Sequence, residues 1–87
     1  MFNNKIITKM SKALEIIQAI MLESFDLSAE RVIPSARLDE DLMLGSLDQV
    51  ELCFTVEDVC NITIADEDWI GVKTVGDLVN LIEAKVN

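Results

Sequence analysis

Apolar residues recur at helical spacing in three stretches of the chain, and no stretch offers two strands that could pair. From Lys5 to Phe25, the residues Ile6, Met10, Ala13, Ile17, Ile20 and Ser24 form one stripe, widened by Ile7, Leu14 and Met21. A second period runs from about Ser46 to Cys60. A third follows Thr74, with Val75, Leu78, Val79 and Ile82 as its inward face and Lys85 near its end. Only Ile62-Thr63-Ile64 alternates in the manner of a strand, and it has no partner. It reads as a connection whose isoleucines enter the core. The expected fold is therefore all-α, a small four-helix bundle of three main helices and one short helix.

The punctuation between these stretches agrees. Residues 26–45 carry no period and include Pro34, so they form a long first loop, which in a chain this small needs pins of its own. Ile33, Leu38 and Leu42 are the expected pins. The second helix should stop near Asn61. Asp66, Glu67 and Asp68 favour the start of the short helix, because carboxylates suit the positive end of a helix dipole, and Gly71 ends it. Thr74 is the expected cap of the last helix. With 87 residues the chain is expected to be one domain, residues 1–87.

Charge narrows the function. The net charge is −9, and ten carboxylates lie between Arg37 and Lys73 with no basic residue among them. They are Asp39, Glu40, Asp41, Asp48, Glu51, Glu57, Asp58, Asp66, Glu67 and Asp68. Such a face repels phosphate backbones and anionic membranes, which argues against nucleic acid, and it attracts basic protein surfaces. No apolar run approaches the ~20 residues of a membrane span, and no apolar segment follows the N-terminal lysines as in a secretory signal. A soluble, cytoplasmic monomer is expected.

Catalysis by this chain alone is not expected. There is no histidine or tyrosine, so no imidazole base can be assembled. The three glycines are scattered, and no calcium-loop spacing occurs. Cys53 and Cys60 stand seven apart in one helix, about 10 Å between Cα atoms, too far for a disulfide. They are expected to be free and buried, which fits a reducing compartment.

The informative segment is Gly45-Ser46-Leu47-Asp48-Gln49-Val50-Glu51-Leu52. Ser46 and Gln49 fit a capping box, with Asp48 complementing the dipole. A helix start also favours an anion, so a serine there is a reasonable place for a phosphodiester. Behind it the helix has two apolar stripes. Leu52, Val56, Val59 and Cys60 can face a core. Leu47, Val50 and Phe54 point elsewhere, toward a pocket between helices or a partner, or into the core if this helix is central and deeply buried.

This segment resembles the acyl carrier proteins, whose signature is Asp-Ser-Leu at the start of the second helix, often continued as Asp-x-Val-Glu-Leu. The likeness extends upstream through Pro34, Leu38, Glu40, Asp41 and Leu42. Downstream it extends through Ile64-Ala65-Asp66-Glu67 and Thr74-Val75-Gly76-Asp77-Leu78. It implies that Ser46 receives a covalent 4′-phosphopantetheine arm from coenzyme A through a phosphopantetheinyl transferase. The arm holds acyl intermediates of fatty-acid, lipid or polyketide synthesis as thioesters. It further implies that Leu47, Asp48, Val50, Glu51, Phe54 and Glu57 meet basic docking patches on acyl-processing synthases, transferases or ligases. Two other roles stand beside this one: a docking module that is never modified, and a carrier of aminoacyl or aryl groups. The chain departs from the pattern at Gly45, where aspartate is usual, at Met43, in a segment that usually contains glycine, and at the bulky Phe54 and Trp69. These departures point to a specialised carrier.

Overall fold

A computed structural model describes the backbone of residues 3–86 and the side chains of residues 12–86. Four helices follow in chain order: α1 (Asn3–Phe25), α2 (Ser46–Cys60), α3 (Asp66–Ile70) and α4 (Val75–Val86). Helix α1 packs against both α2 and α4. Its described inward residues are Ala13, Ile17, Ile20 and Met21, which meet Leu52 and Val56 of α2 and Val75, Leu78 and Ile82 of α4 in one core. Ile6, Ile7 and Met10 of the expected stripe lie outside the described side chains. Ser24 does not belong to the stripe. It is exposed, because a hydroxyl loses nothing by facing water at the edge of the buried arc.

The long loop is pinned to the bundle by buried side chains and backbone hydrogen bonds. Its pins are Leu27, Val32, Ala36, Leu38, Leu42 and Leu44, all buried. Ile33 is not among them. Its neighbour Val32 takes the inward position and leaves Ile33 exposed. Backbone bonds supply the rest. Leu38 N–H donates to the Lys73 carbonyl at 3.0 Å, Val75 N–H to Ala36 at 2.9 Å and Gly76 N–H to Pro34 at 2.9 Å. Arg37 and Thr74 form an isolated antiparallel bridge, so loop and α4 entry run side by side. The approach is close at Gly76, where an added Cβ would stand 3.0 Å from the Pro34 oxygen. Glycine is the residue that allows it.

The helix ends follow local chemistry. Thr74 Oγ1 accepts the Asp77 N–H at 3.1 Å while Asp77 Oδ2 accepts the Thr74 N–H at 3.1 Å, a complete capping box at the start of α4. Asn61 ends α2 in the left-handed region at φ 56, with the Ile62 N–H returning to the Glu57 carbonyl at 3.1 Å. Ile64 is buried and Ile62 half-buried, as a connection into the core requires. No strand is present among the described residues.

Candidate functional site

Helix α2 begins one residue earlier than a Ser46 cap would place it. Gly45 is extended at φ −78 and ψ −177, and its carbonyl accepts the first helical bond, from Gln49 N–H at 3.0 Å. Gly45 is therefore the N-cap, and Ser46 is the first residue inside the helix. Asp48 Oδ2 reaches back to the Gly45 N–H at 3.3 Å, half of a capping box whose other half glycine has no atom to make. Gln49 does not close a box on Ser46. Its Nε2 donates to the Leu44 carbonyl at 3.1 Å, anchoring the end of the loop.

The consequence for Ser46 is freedom. Its side chain is exposed and makes no hydrogen bond among the described residues. The first amides of α2 point at the same solvent, where a helix start favours an anion. Beside it, an added Cβ on Gly45 would meet nothing within 4 Å. Room, a free hydroxyl and an anion-friendly helix end fit a phosphodiester-linked arm at this position. Three residues before it, Met43 sits at φ 61 in the left-handed region and is 76% exposed. That conformation explains why glycine suits this segment.

Leu52 and Val56 are fully buried, whereas Leu47, Val50 and Phe54 are 84%, 49% and 65% exposed. The second stripe of α2 is thus surface and not core. Val59, expected inside, is exposed, because the buried arc of α2 is only as wide as Leu52 and Val56. Cys60 is half-buried. Glu51 is exposed and Asp48 half-buried. Glu57 is also half-buried, and its Oε2 accepts the Ile64 N–H at 2.8 Å, so one carboxylate oxygen is committed to holding the α2–α3 connection.

Val50, Cys53 and Phe54 of α2 and Asp66 and Trp69 of α3 enclose a half-open, largely apolar pocket of about 280 Å³. Sequence periodicity placed Val50 and Phe54 on this face but not Cys53, Asp66 or Trp69. A signal was present in the spacing, since Asp66 and Trp69 share one side of a helical turn, as do Val50, Cys53 and Phe54. Their meeting depends on how α3 packs. Both cysteines are free, half-buried rather than buried. Desolvation, and then the nearby Glu57 and Asp66 carboxylates, raise the Cys53 pKa above its usual 9.0. Desolvation alone raises that of Cys60. Neutral thiols of this kind are poor nucleophiles at neutral pH.

The acidic zone is partly compensated. Arg37 Nε lies 3.7 Å from Asp39 and 3.5 Å from Glu40, and Lys85 Nζ lies 2.9 Å from Asp68. Asp48, Glu51, Asp58, Asp66 and Glu67 have no ion-pair partner among the described residues. No described helix is long and apolar enough to cross a membrane. Among the described residues, no group of three or more metal-ligating side chains comes together.

The arrangement is an exposed serine at a helix start beside an apolar and acidic surface. Residues 15–82 match the family described as "Phosphopantetheine attachment site". The chain is 38% identical over 76 residues to an acyl carrier protein of Thermosynechococcus vestitus, covering 87% of this chain and 94% of the relative. It is 41% identical over 70 residues to an acyl carrier protein of Helicobacter hepaticus, covering 80% and 92% respectively. The chain belongs to the acyl carrier protein family and has that family's role as a phosphopantetheine carrier.

Proposed function

We propose that Ser46 is the attachment residue and that residues 1–87 act as a single, non-catalytic, monomeric carrier domain in the cytoplasm. The observation that carries the assignment is the exposed, unbonded Ser46 hydroxyl at the first position of α2. When bound, the 4′-phosphopantetheine arm supplies a thiol that holds an acyl group as a thioester. The chain's own residues do the rest. The α2 N-terminus stabilises the phosphodiester charge. Leu47, Val50 and Phe54 give an apolar contact, flanked by Asp48, Glu51 and the free oxygen of Glu57. This surface suits a phosphopantetheinyl transferase first, then acyl-processing synthases, transferases or ligases with basic patches, in fatty-acid, lipid or polyketide synthesis. The neutral Cys53 thiol does not compete for the acyl group. An acidic surface that is only partly compensated supports the exclusion of nucleic acid as a partner.

Intact mass after incubation with coenzyme A and a broad-specificity transferase tests the assignment. One phosphopantetheine should be added, and Ser46→Ala should abolish it. Modification of the alanine variant would move the site elsewhere. No modification of the native chain would favour a docking module that never carries an arm.

A further inference from the structure

Three non-glycine residues among those described have a left-handed backbone: Asp26 at φ 58, Met43 at φ 61 and Asn61 at φ 56. Asp26 and Asn61 directly follow α1 and α2, and both are short polar residues that tolerate this region. Met43 is the exception. Its backbone is fixed from both sides. Leu42 and Leu44 are buried, and their N–H groups donate to the Arg37 and Leu38 carbonyls at 3.0 and 2.9 Å. Keeping both leucines inward turns the chain sharply at residue 43, where glycine or asparagine would meet the geometry at less cost. The methionine side chain adds nothing to the core, since it is 76% exposed. A large apolar group is thus held in water at a backbone position that disfavours it. An outlier of this kind points to function.

Leu47 is 84% exposed, so the two most exposed large apolar side chains described bracket Ser46 in sequence. Three residues of chain span at most about 11 Å, a short reach beside the ~800 Å² footprint of each partner in a specific interface. An enzyme seated on Ser46 therefore covers Met43 as well. Only one kind of partner has to sit there. An enzyme that acts on the cargo meets it at the far end of the arm, away from Ser46. The enzyme that forms the phosphodiester must bring coenzyme A to the Ser46 oxygen itself.

Resting on the carrier reading of Ser46, we propose that Met43 determines specificity in loading, its side chain docking in an apolar recess of the phosphopantetheinyl transferase. A thioether chain is flexible and polarisable, which suits it to such a recess. Met43 and Leu47 form an apolar centre, and Asp48 and Glu51 supply a charged rim for a basic enzyme surface. Met43 takes no part in the chemistry. There the Ser46 oxygen bonds to the phosphorus that bears the pantetheine, and the pyrophosphate bond of coenzyme A breaks. The adenosine half leaves, and the serine proton passes to a base of the transferase.

Backbone and side chain can be separated by substitution. Intact mass first establishes that a transferase loads the native chain from coenzyme A. A native chain that no transferase loads removes the carrier reading itself, an outcome distinct from failure of the Met43 proposal. Met43→Asn suits the left-handed backbone but lacks the apolar chain. Its melting temperature should rise by a few degrees while KM for the carrier rises about tenfold. Met43→Gly should load as poorly. Met43→Leu keeps both the apolar bulk and the backbone cost, and should load within about twofold of native. The loss should fall on KM rather than kcat, because Met43 touches no reacting atom. A merely structural residue would move stability and loading in the same direction. Asparagine and glycine variants that load like the native chain would overturn the proposal. So would a leucine variant that loads as poorly as they do, or an asparagine variant that melts lower than native.

Discussion

Lys85 Nζ stands 2.9 Å from Asp68 Oδ2, joining the last turn of α4 to the short helix that walls the pocket. Helix α3 needs such a tie, since it has five residues, none of them buried. Asp68 Oδ2 also accepts the Ala65 N–H at 3.3 Å, so one carboxylate both starts α3 and fastens it to α4.

That double use predicts an acid-sensitive α3. The Lys85 hydrogen bond, and then the Ala65 N–H, lower the Asp68 pKa below its usual 3.8. The Lys73 and Thr74 N–H groups do the same for Asp77. A carboxylate depressed on folding stabilises the native state fully above its unfolded value. That contribution is lost as pH falls through the lower folded value. Stability should thus be insensitive to these groups at neutral pH and fall below about pH 3.8. Lys85→Met should raise the Asp68 pKa, read by NMR titration, and speed amide exchange in α3 while α1 is unchanged. An Asp68 pKa indifferent to the substitution would mean that the ion pair is not formed in solution.

Comparing the helix starts yields a stabilising substitution. Thr74–Asp77 forms both halves of a capping box, whereas Gly45–Asp48 forms only one. At φ −78 Gly45 occupies ordinary backbone, and an added Cβ meets open space. Gly45→Ser should stabilise by about 0.5–1 kcal/mol, from the added cap and a less flexible unfolded chain. That corresponds to a rise of roughly 2–8 °C in melting temperature for a domain this size. Ser46→Ala, by contrast, removes no cap and should change stability by less than about 0.5 kcal/mol. A large loss in that variant would show Ser46 bonded after all.

These contrasts also show what the chain's pattern can reveal. Helix periods, the end of α2 near Asn61 and the Thr74 cap depend on neighbours in sequence, and all were legible. The α2 cap was misplaced by one residue because Ser46-x-x-Gln49 and Gly45-x-x-Asp48 overlap. Only geometry decides which side chain turns back. Val32 and Ile33 are likewise adjacent and similar, and packing against the helices selected Val32. Val50 and Phe54 could be read as a surplus stripe, but the Cys53–Trp69 side of the pocket arises only when α3 docks.

Salt should stabilise the domain. Asp48, Glu51 and Asp58 of α2 and Asp66 and Glu67 of α3 add to one another's potential without a described ion-pair partner, and screening relieves that repulsion. The pairs at Arg37 and Lys85 weaken with salt, but they involve only Asp39, Glu40 and Asp68. The melting temperature near pH 7 should rise between low and moderate ionic strength, and rise further with divalent cations. A fall would mean that the few ion pairs outweigh the many like charges.

The two faces of α2 should separate stability from recognition. Leu52 is fully buried, so Leu52→Ala removes apolar contact and leaves a cavity, at a cost of about 2–5 kcal/mol. For a domain with a total of ~5–15 kcal/mol this is severe. Phe54 is 65% exposed, so Phe54→Ala should leave the unloaded domain's denaturation midpoint within about 1 kcal/mol of native. The same change should weaken docking of the transferase, as loss of an apolar anchor within a charged rim does. Glu51→Lys should slow association, most at low salt, with little effect on dissociation. Denaturation midpoints and docking kinetics measured on the same variants decide the matter. If Phe54→Ala unfolds the chain as readily as Leu52→Ala, the ring supports the pocket wall structurally, and the docking surface must be sought around Leu47 instead.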